Sequence, residues 1–475
     1  MLFNSVDFAL FLPIVFMLYW FVCRKKIRAQ NWLLLLSSYF FYGFWDWRFL
    51  FLILFSTLVD FSVARRLLKE ANARKRKLLV SVSILVNLGL LGFFKYYNFF
   101  LDTFVDSFSF FGTSISIDRL DIILPVGISF YTFQTLSYTI DVYRKKITSP
   151  SSFLNFAAYV SFFPQLVAGP IERATKLLPQ FSKERIFRAS YALSGLDLMI
   201  WGLFKKVVIA DNCAFFVNQI FDNPGAYSSA ELATGAVLFG FQIYGDFSGY
   251  SDIAIGTARL FGFDLMLNFK FPYFSRDIAE FWRRWHISLS TWFRDYLYIP
   301  LGGSRGTLGF QIRNVFIVFV VSGFWHGASW NFIIWGAIHA ILFLPLLIAK
   351  KNRSNLNFNR FSIKSVFNIV GTFMLVNIAW IFFRADTLQI AYNYIKTMLT
   401  DGSLSMGVFT SSSKSLLFFA IILISVLTLL LFEYFSIKKK RDLVLFNRVS
   451  AIVIVLMIVF FGAFKNASEF IYFQF

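Results

Sequence analysis

An all-α, polytopic integral membrane protein is the fold class this sequence predicts, with about 11–12 transmembrane helices plus re-entrant or interfacial helices around a central tunnel. Three observations carry that prediction. Of the 475 residues, 57% are hydrophobic and mean hydropathy is +0.64, far above a soluble globular composition. The apolar residues fall in runs of roughly 16–22, long enough to cross a hydrocarbon core as helices, and the short alternating segments of a barrel are absent. The formal net charge of +20 is concentrated in short loops between those runs.

Those loops are Arg24-Lys25-Lys26-Ile27-Arg28, Arg65-Arg66 with Arg74-Lys75-Arg76-Lys77, Arg144-Lys145-Lys146, Lys350-Lys351-Asn352-Arg353 and Lys438-Lys439-Lys440-Arg441. Cations so placed follow the positive-inside pattern and suit anionic lipid headgroups. No basic stretch forms a soluble module, so nucleic acid is not an expected partner. The lipid bilayer is. Cys23 and Cys213 lie far apart and imply neither a disulfide framework nor a metal set.

Taken in order, the chain predicts spans near 6–23, 31–45, 48–64, 78–94 and 121–142. The first lacks a basic n-region and a cleavage site, and reads as a retained helix with its N-terminus outside. An amphipathic stretch from Phe156 to Pro170, broken at Pro164 and Gly169-Pro170, re-enters or lies along the interface. Spans follow near 190–211 and 231–249. Residues from about 250 to 310 are polar but interleaved with Phe281, Trp282, Trp285, Trp292, Phe293, Tyr296 and Tyr298, and predict interfacial helices facing the cytosol. Spans near 311–324, 328–349, 365–383, 415–437 and 447–464 complete the chain. The whole reads as one transmembrane domain over 1–475, ending in a spanning helix and aromatic tail at about 447–475. No internal repeat of the transporter kind is visible.

Histidine is scarce: three in 475 residues. His326 lies in Ser322-Gly323-Phe324-Trp325-His326-Gly327-Ala328-Ser329-Trp330, between two apolar runs. Imidazole can remove a proton near neutral pH without being forced into an unusual charge state. A structural histidine bridging helices is an equal alternative from spacing alone. Gly323 and Gly327 suit a helix break or close backbone approach. In Glu280-Phe281-Trp282-Arg283-Arg284-Trp285-His286, helical spacing would put Arg283 and His286 on one face, where the cation could hold a phosphate-bearing donor. Lipid headgroups are the plainer partner for Arg284. His339, one turn from Trp335, reads as core. Asp246 and Asp252, beside Tyr244 and Tyr250, could line a hydrated tunnel or cap helices, and capping is the safer reading for Asp252. Gly302-Gly303-Ser304-Arg305-Gly306 lacks the ending of a phosphate loop and reads as a turn after Pro300. The histidines lack metal-ligand spacing and no serine elbow is present.

The segment Glu280 to Gly303, with Phe324-Trp325-His326-Gly327 and Phe162-Phe163-Pro164-Gln165-Leu166-Val167-Ala168-Gly169-Pro170, closely resembles the membrane-bound O-acyltransferase family over nearly the whole chain. Within it, the chain is similar to the bacterial envelope branch that serves alginate and peptidoglycan O-acetylation and teichoic-acid D-alanylation. The terminal Phe470-Ile471-Tyr472-Phe473-Gln474-Phe475 resembles a C-terminal aromatic motif of the acetylating members.

The resemblance implies an O-acetyltransferase of the bacterial cytoplasmic (inner) membrane. No cofactor would be tightly bound, and acetyl-CoA would be the acyl donor, met on the cytosolic side near His286, Arg283 and Trp285. His326 would act as general base and Tyr472 would accept the acetyl group. A periplasmic or membrane-anchored partner would then pass it to an extracytoplasmic polysaccharide. D-alanyl or other acyl transfer is the alternative within enzymes. A transporter of a polymer or lipid intermediate is the alternative outside them.

Overall fold

The structure is a computed structural model that describes all residues except 113, 114, 116, 168, 357–361, 465–469 and 472–475. Every regular element among the described residues is a helix. Among the described residues, six helical stretches are long and apolar enough to cross a membrane: Ile27–Lys69, Ala73–Phe110, Leu308–His326, Trp330–Ile348, Ile363–Arg384 and Ser413–Lys438. Two shorter apolar stretches, Val6–Val22 and Arg448–Phe461, flank them. The chain is therefore an all-α multi-pass membrane protein. It divides into two compact units, one formed by Met1–Ala192 with Thr257–Met266, the other by Leu193–Gly256 with Leu267–Phe475.

In the first unit a buried carboxylate ties three helices. Asp60, on Leu50–Lys69, accepts hydrogen bonds from Ser83 Oγ, from Asn87 Nδ2 at 2.8 Å and from Thr139 Oγ1 at 2.8 Å. Lipid gives two helices no hydrophobic reason to associate, so shared polar contacts of this kind hold them together. The span expected from 121 begins only at Ile128: Gly127 precedes it at φ 74°, and a Cβ there would lie 2.8 Å from the Leu166 carbonyl. The stretch expected to re-enter forms a helix over Phe153–Ser161 and then leaves helical geometry. Phe162 and Phe163 are fully buried there, and irregular backbone at such depth is tolerated only within protein.

In the second unit, Ser229–Leu260 is a single helix of 32 residues. Glycine brings it close to its neighbour: a Cβ on Gly249 would lie 2.7 Å from the Gly202 carbonyl, so only the bare backbone fits. The neighbour opens into a π-helical turn at Phe204–Ala210, which carries Lys205 and Lys206 inward. Lys205 Nζ lies 2.8 Å from Asp252 Oδ2, and Lys206 Nζ lies 2.8 Å from both Asp211 Oδ1 and Asp246 Oδ1. Asp252 is thus no cap. It lies inside a continuous helix and pairs with a buried lysine.

Leu308–His326 and Trp330–Ile348 form a tight antiparallel hairpin. Gly323 faces the Phe332 carbonyl and Gly336 faces the Phe319 carbonyl, both too close for any side chain. The interfacial segment differs from expectation. Its helices, Ile278–Arg284 and Ile287–Phe293, are seven residues each, and Phe281, Trp285, Trp292 and Phe293 are buried rather than presented outward. They form the packed aromatic layer in which the histidines lie.

Candidate active site

His326 is the last residue of its helix, which stops because Gly327 turns extended at φ −157°. The Phe332 ring fills the place a Cβ on Gly327 would need, so the break is built into the packing. The imidazole is 3% exposed. Around it stand Trp325, Trp335 and Phe383, with ring centroids at 4.9, 5.1 and 5.5 Å, all edge-on.

His286 lies 6.2 Å from His326, centroid to centroid, and is fully buried. Arg283 and His286 do not share a helical face, because the helix ends at Arg284 and His286 takes the left-handed conformation at φ 42°. A side chain in that region carries roughly 1–2 kcal/mol of strain, so something must hold it. Asn268 does. Its carbonyl accepts the Ile287 amide at 2.9 Å, and its Oδ1 accepts Ser288 Oγ at 2.8 Å and the Ser288 amide at 3.3 Å. Its Nδ2 donates to Ser251 Oγ at 3.0 Å. A backbone amide can only donate, so Oδ1 is fixed as the acceptor. His286 Nδ1, 3.0 Å from it, must therefore carry its proton, leaving the lone pair on Nε2. Burial pushes the His286 imidazole down to about 3, so it is neutral near pH 7.

Glu280 braces the start of this segment. Burial alone would raise its carboxyl, but Arg276 and Arg284 outweigh that and hold it below the usual carboxylate range. Arg284 is therefore a buried ion-pair partner and not a lipid-facing cation. Arg283 donates to the backbone carbonyls of Asn352 at 2.8 Å and Asn355 at 3.1 Å. Trp285 stacks on Phe281 at 5.5 Å within the aromatic core. His339 is fully buried, as expected of core, and its Nδ1 accepts the Trp282 indole N–H at 3.3 Å.

A cavity of about 410 Å³ reaches Ser322, one helical turn before His326, and no histidine lines it. Its lining includes the apolar Trp282, Phe319 and Val318, the cations Arg294, Lys350 and Arg353, and Ser322. Ser322 is one helical turn from His326 and on the same face. Neither Arg283 nor Trp285 lines this cavity; Arg283 borders a separate one of about 450 Å³ with Lys270, Arg284, Lys440 and Arg441.

Phe470 and Ile471, near the end of the chain, pack close to His286 by way of Phe247. The Ile471 amide donates to Asp246 Oδ2 at 2.6 Å. The Phe470 ring lies 4.8 Å from Tyr250 and 6.0 Å from Phe247, whose own ring is 4.7 Å from His286. Tyr472 lies outside the described residues. Sequence reasoning singled out His286, His326 and the tail, and the structure gathers His286, His326, Phe470 and Ile471. It missed Asn268, Ser322 and Lys206. Asn268 stands 18 positions before His286 across a stretch of largely irregular backbone, so no local pattern could have marked it.

Residues 6–384 match the membrane-bound O-acyltransferase family model. The chain is 38% identical over 430 residues to the peptidoglycan O-acetyltransferase of Helicobacter pylori, covering 84% of this chain and 80% of that protein. It is 39% identical over 403 residues to the probable alginate O-acetylase AlgI of Pseudomonas aeruginosa, covering 84% and 75%. Against the teichoic acid D-alanyltransferase of Streptococcus thermophilus it is 30% identical over 237 residues, covering 46% and 55%. A polytopic helical protein with a buried histidine pair, so related over most of its length, is an acyltransferase of the membrane-bound O-acyltransferase family.

Proposed function

We propose that the chain is the membrane component of polysaccharide O-acetylation in the bacterial cytoplasmic membrane, moving acetyl from cytosolic acetyl-CoA to an acceptor outside. Two acetylating relatives, each aligned over 84% of the chain, favour acetyl over D-alanyl, whose aligned relative covers 46%. The 410 Å³ cavity has the chemistry such a donor needs: apolar walls for a pantetheine arm and three cations for its phosphates. The donor site is therefore assigned to Arg294, Lys350 and Arg353 in place of Arg283 and Trp285.

Transfer starts at the Tyr472 phenol, which at an ordinary pKa of about 10 needs a base at neutral pH. His326 removes the phenolic proton as the oxygen attacks the thioester carbonyl. His286, neutral and with its lone pair on Nε2, stabilises the imidazolium that forms. The tetrahedral intermediate collapses with cleavage of the carbon–sulfur bond, and the leaving thiolate takes the proton back from His326. Acetyl-tyrosine and free CoA thiol result. A hydroxyl nucleophile on a periplasmic or membrane-anchored partner then accepts the acetyl group, frees the phenol and passes the group to a sugar hydroxyl.

One observation carries this reading: Phe470 and Ile471 pack on the Asp246–Tyr250 stretch, whose Phe247 touches His286, and Tyr472 is the next residue in the chain. The test is mass spectrometry of the C-terminal peptide after incubation with acetyl-CoA. Wild type should gain an acetyl group on Tyr472. Tyr472→Phe and His326→Ala should not, with His326→Ala slowed by about 10²–10⁴ as expected for a lost general base. Polysaccharide acetylation that persists in Tyr472→Phe would overturn the tyrosine relay, and persistence in His326→Ala would overturn the base.

A further inference from the structure

Beside the ring contacts of Phe470, the described end of the chain is held by a buried side chain, Asp246. Its Oδ2 accepts the Ile471 amide at 2.6 Å while its Oδ1 lies 2.8 Å from Lys206 Nζ. Lys206 spans two carboxylates, the second being Asp211 at 2.8 Å. All three are nearly dry: side-chain exposure is 8% for Lys206, 4% for Asp246 and 1% for Asp211. Asp211 in turn borders a cavity of about 790 Å³ walled by Phe215, Phe418, Phe460 and Phe464, with Asn218 and Gln219 among its polar groups.

A buried carboxylate without a cation would be protonated or would draw in water, and either change alters its reach as an acceptor. Lys206 pairs with one oxygen of Asp246 and so aims the other at the Ile471 amide. The lysine can do this because the π-helical turn Phe204–Ala210 rotates it inward; a regular helix would carry it elsewhere. We infer that Lys206 is a positioning residue that seats Phe470 and Ile471 near the histidine site through Asp246, with Asp211 anchoring the lysine's far side. The tyrosine relay of the proposed function is the chemistry this seating would serve, and the inference rests on that reading only for its purpose.

Cysteine labelling tests the seating without requiring any acyl transfer. Ile471→Cys is introduced into the full chain in nanodiscs and treated with a maleimide, with labelling mapped peptide by peptide. Native Cys213, fully buried, reports unfolding near the lysine, and native Cys23, partly exposed, gives the reactive reference. Ile471 is 2% exposed, so its cysteine should be protected. Adding Lys206→Met should raise its labelling rate about tenfold or more, the loss of one charge-assisted hydrogen bond, while Cys213 stays protected. Lys206→Arg, which keeps the cation, should keep the protection. If Lys206→Met fails to fold, Lys206→Met with Asp211→Asn removes one stranded carboxylate and should show the same release. Protection unchanged in folded Lys206→Met, or in the folded double variant, overturns the inference, as does equal exposure of Cys213. A tail that stays seated by Lys206 while Tyr472→Phe still supports acetylation would sink the proposed function and leave this inference standing.

Discussion

Replacing Asn268 with alanine should damage the site more than any substitution outside the histidines. The side-chain carbonyl accepts from His286 Nδ1, Ser288 Oγ and the Ser288 amide, and the amide group donates to Ser251. Asn268→Ala strands three buried donors at about 1–3 kcal/mol each, and contacts sharing one acceptor do not add fully, so a loss of roughly 3–6 kcal/mol is expected. Losing the acceptor also releases the His286 tautomer and removes a restraint on its left-handed backbone. Asn268→Asp keeps the acceptor oxygen, loses the donation to Ser251 and places a carboxylate beside the imidazole, favouring its charged form. Thermal unfolding in detergent and acetyl transfer per folded molecule read the two effects separately. Both variants should lose activity, the alanine with a large drop in midpoint and the aspartate with a smaller one. An alanine variant of wild-type stability and rate would refute the view that this side chain organises the site.

Two further outcomes are expected. His286 is held neutral with its folded pKa lowered to about 3, while an unfolded histidine titrates near 6.5, so the unfolded state binds the extra proton as pH falls. This contribution is complete above about pH 6.5 and declines by roughly 1.4 kcal/mol per unit below it; unfolding midpoints for wild type and His286→Asn from pH 7 to 5 should therefore converge, and parallel curves would contradict the neutral assignment. Arg294→Glu with Arg353→Glu reverses two cations of the 410 Å³ cavity and should raise KM for acetyl-CoA about tenfold with little change in kcat, because they meet the donor away from the reacting carbon; an unchanged KM would place the donor elsewhere.

Much of the architecture was legible because membrane helices announce themselves by run length and by the cations that end them. The hairpin Leu308–His326 and Trp330–Ile348 matches two expected runs to within three residues; of the glycines expected to suit a helix break or a close approach, Gly323 makes the close approach and Gly327 the break. The aromatic segment was misread in one respect. Tryptophan is at home both at headgroups and in cores, and composition cannot separate the two, so Trp285 and Trp292 were assigned to an interface and are buried. The helix break at Trp285-His286 was invisible because no glycine or proline marks it; a long-range partner, Asn268, imposes it. Lys205 and Lys206 were read as part of a span, yet each has a carboxylate waiting on Ser229–Leu260. Such pairs become visible only when two helices are laid side by side.

The left-handed backbone at His286 sets a conflict into the protein. Asparagine and glycine occupy that conformation more readily than imidazole does. A substitution that relaxes the chain there would remove the ring in the same stroke, so the most comfortable local sequence and the competent one are different sequences. Efforts to make this acyltransferase more robust should therefore leave that turn alone and look for gains in regions far from it.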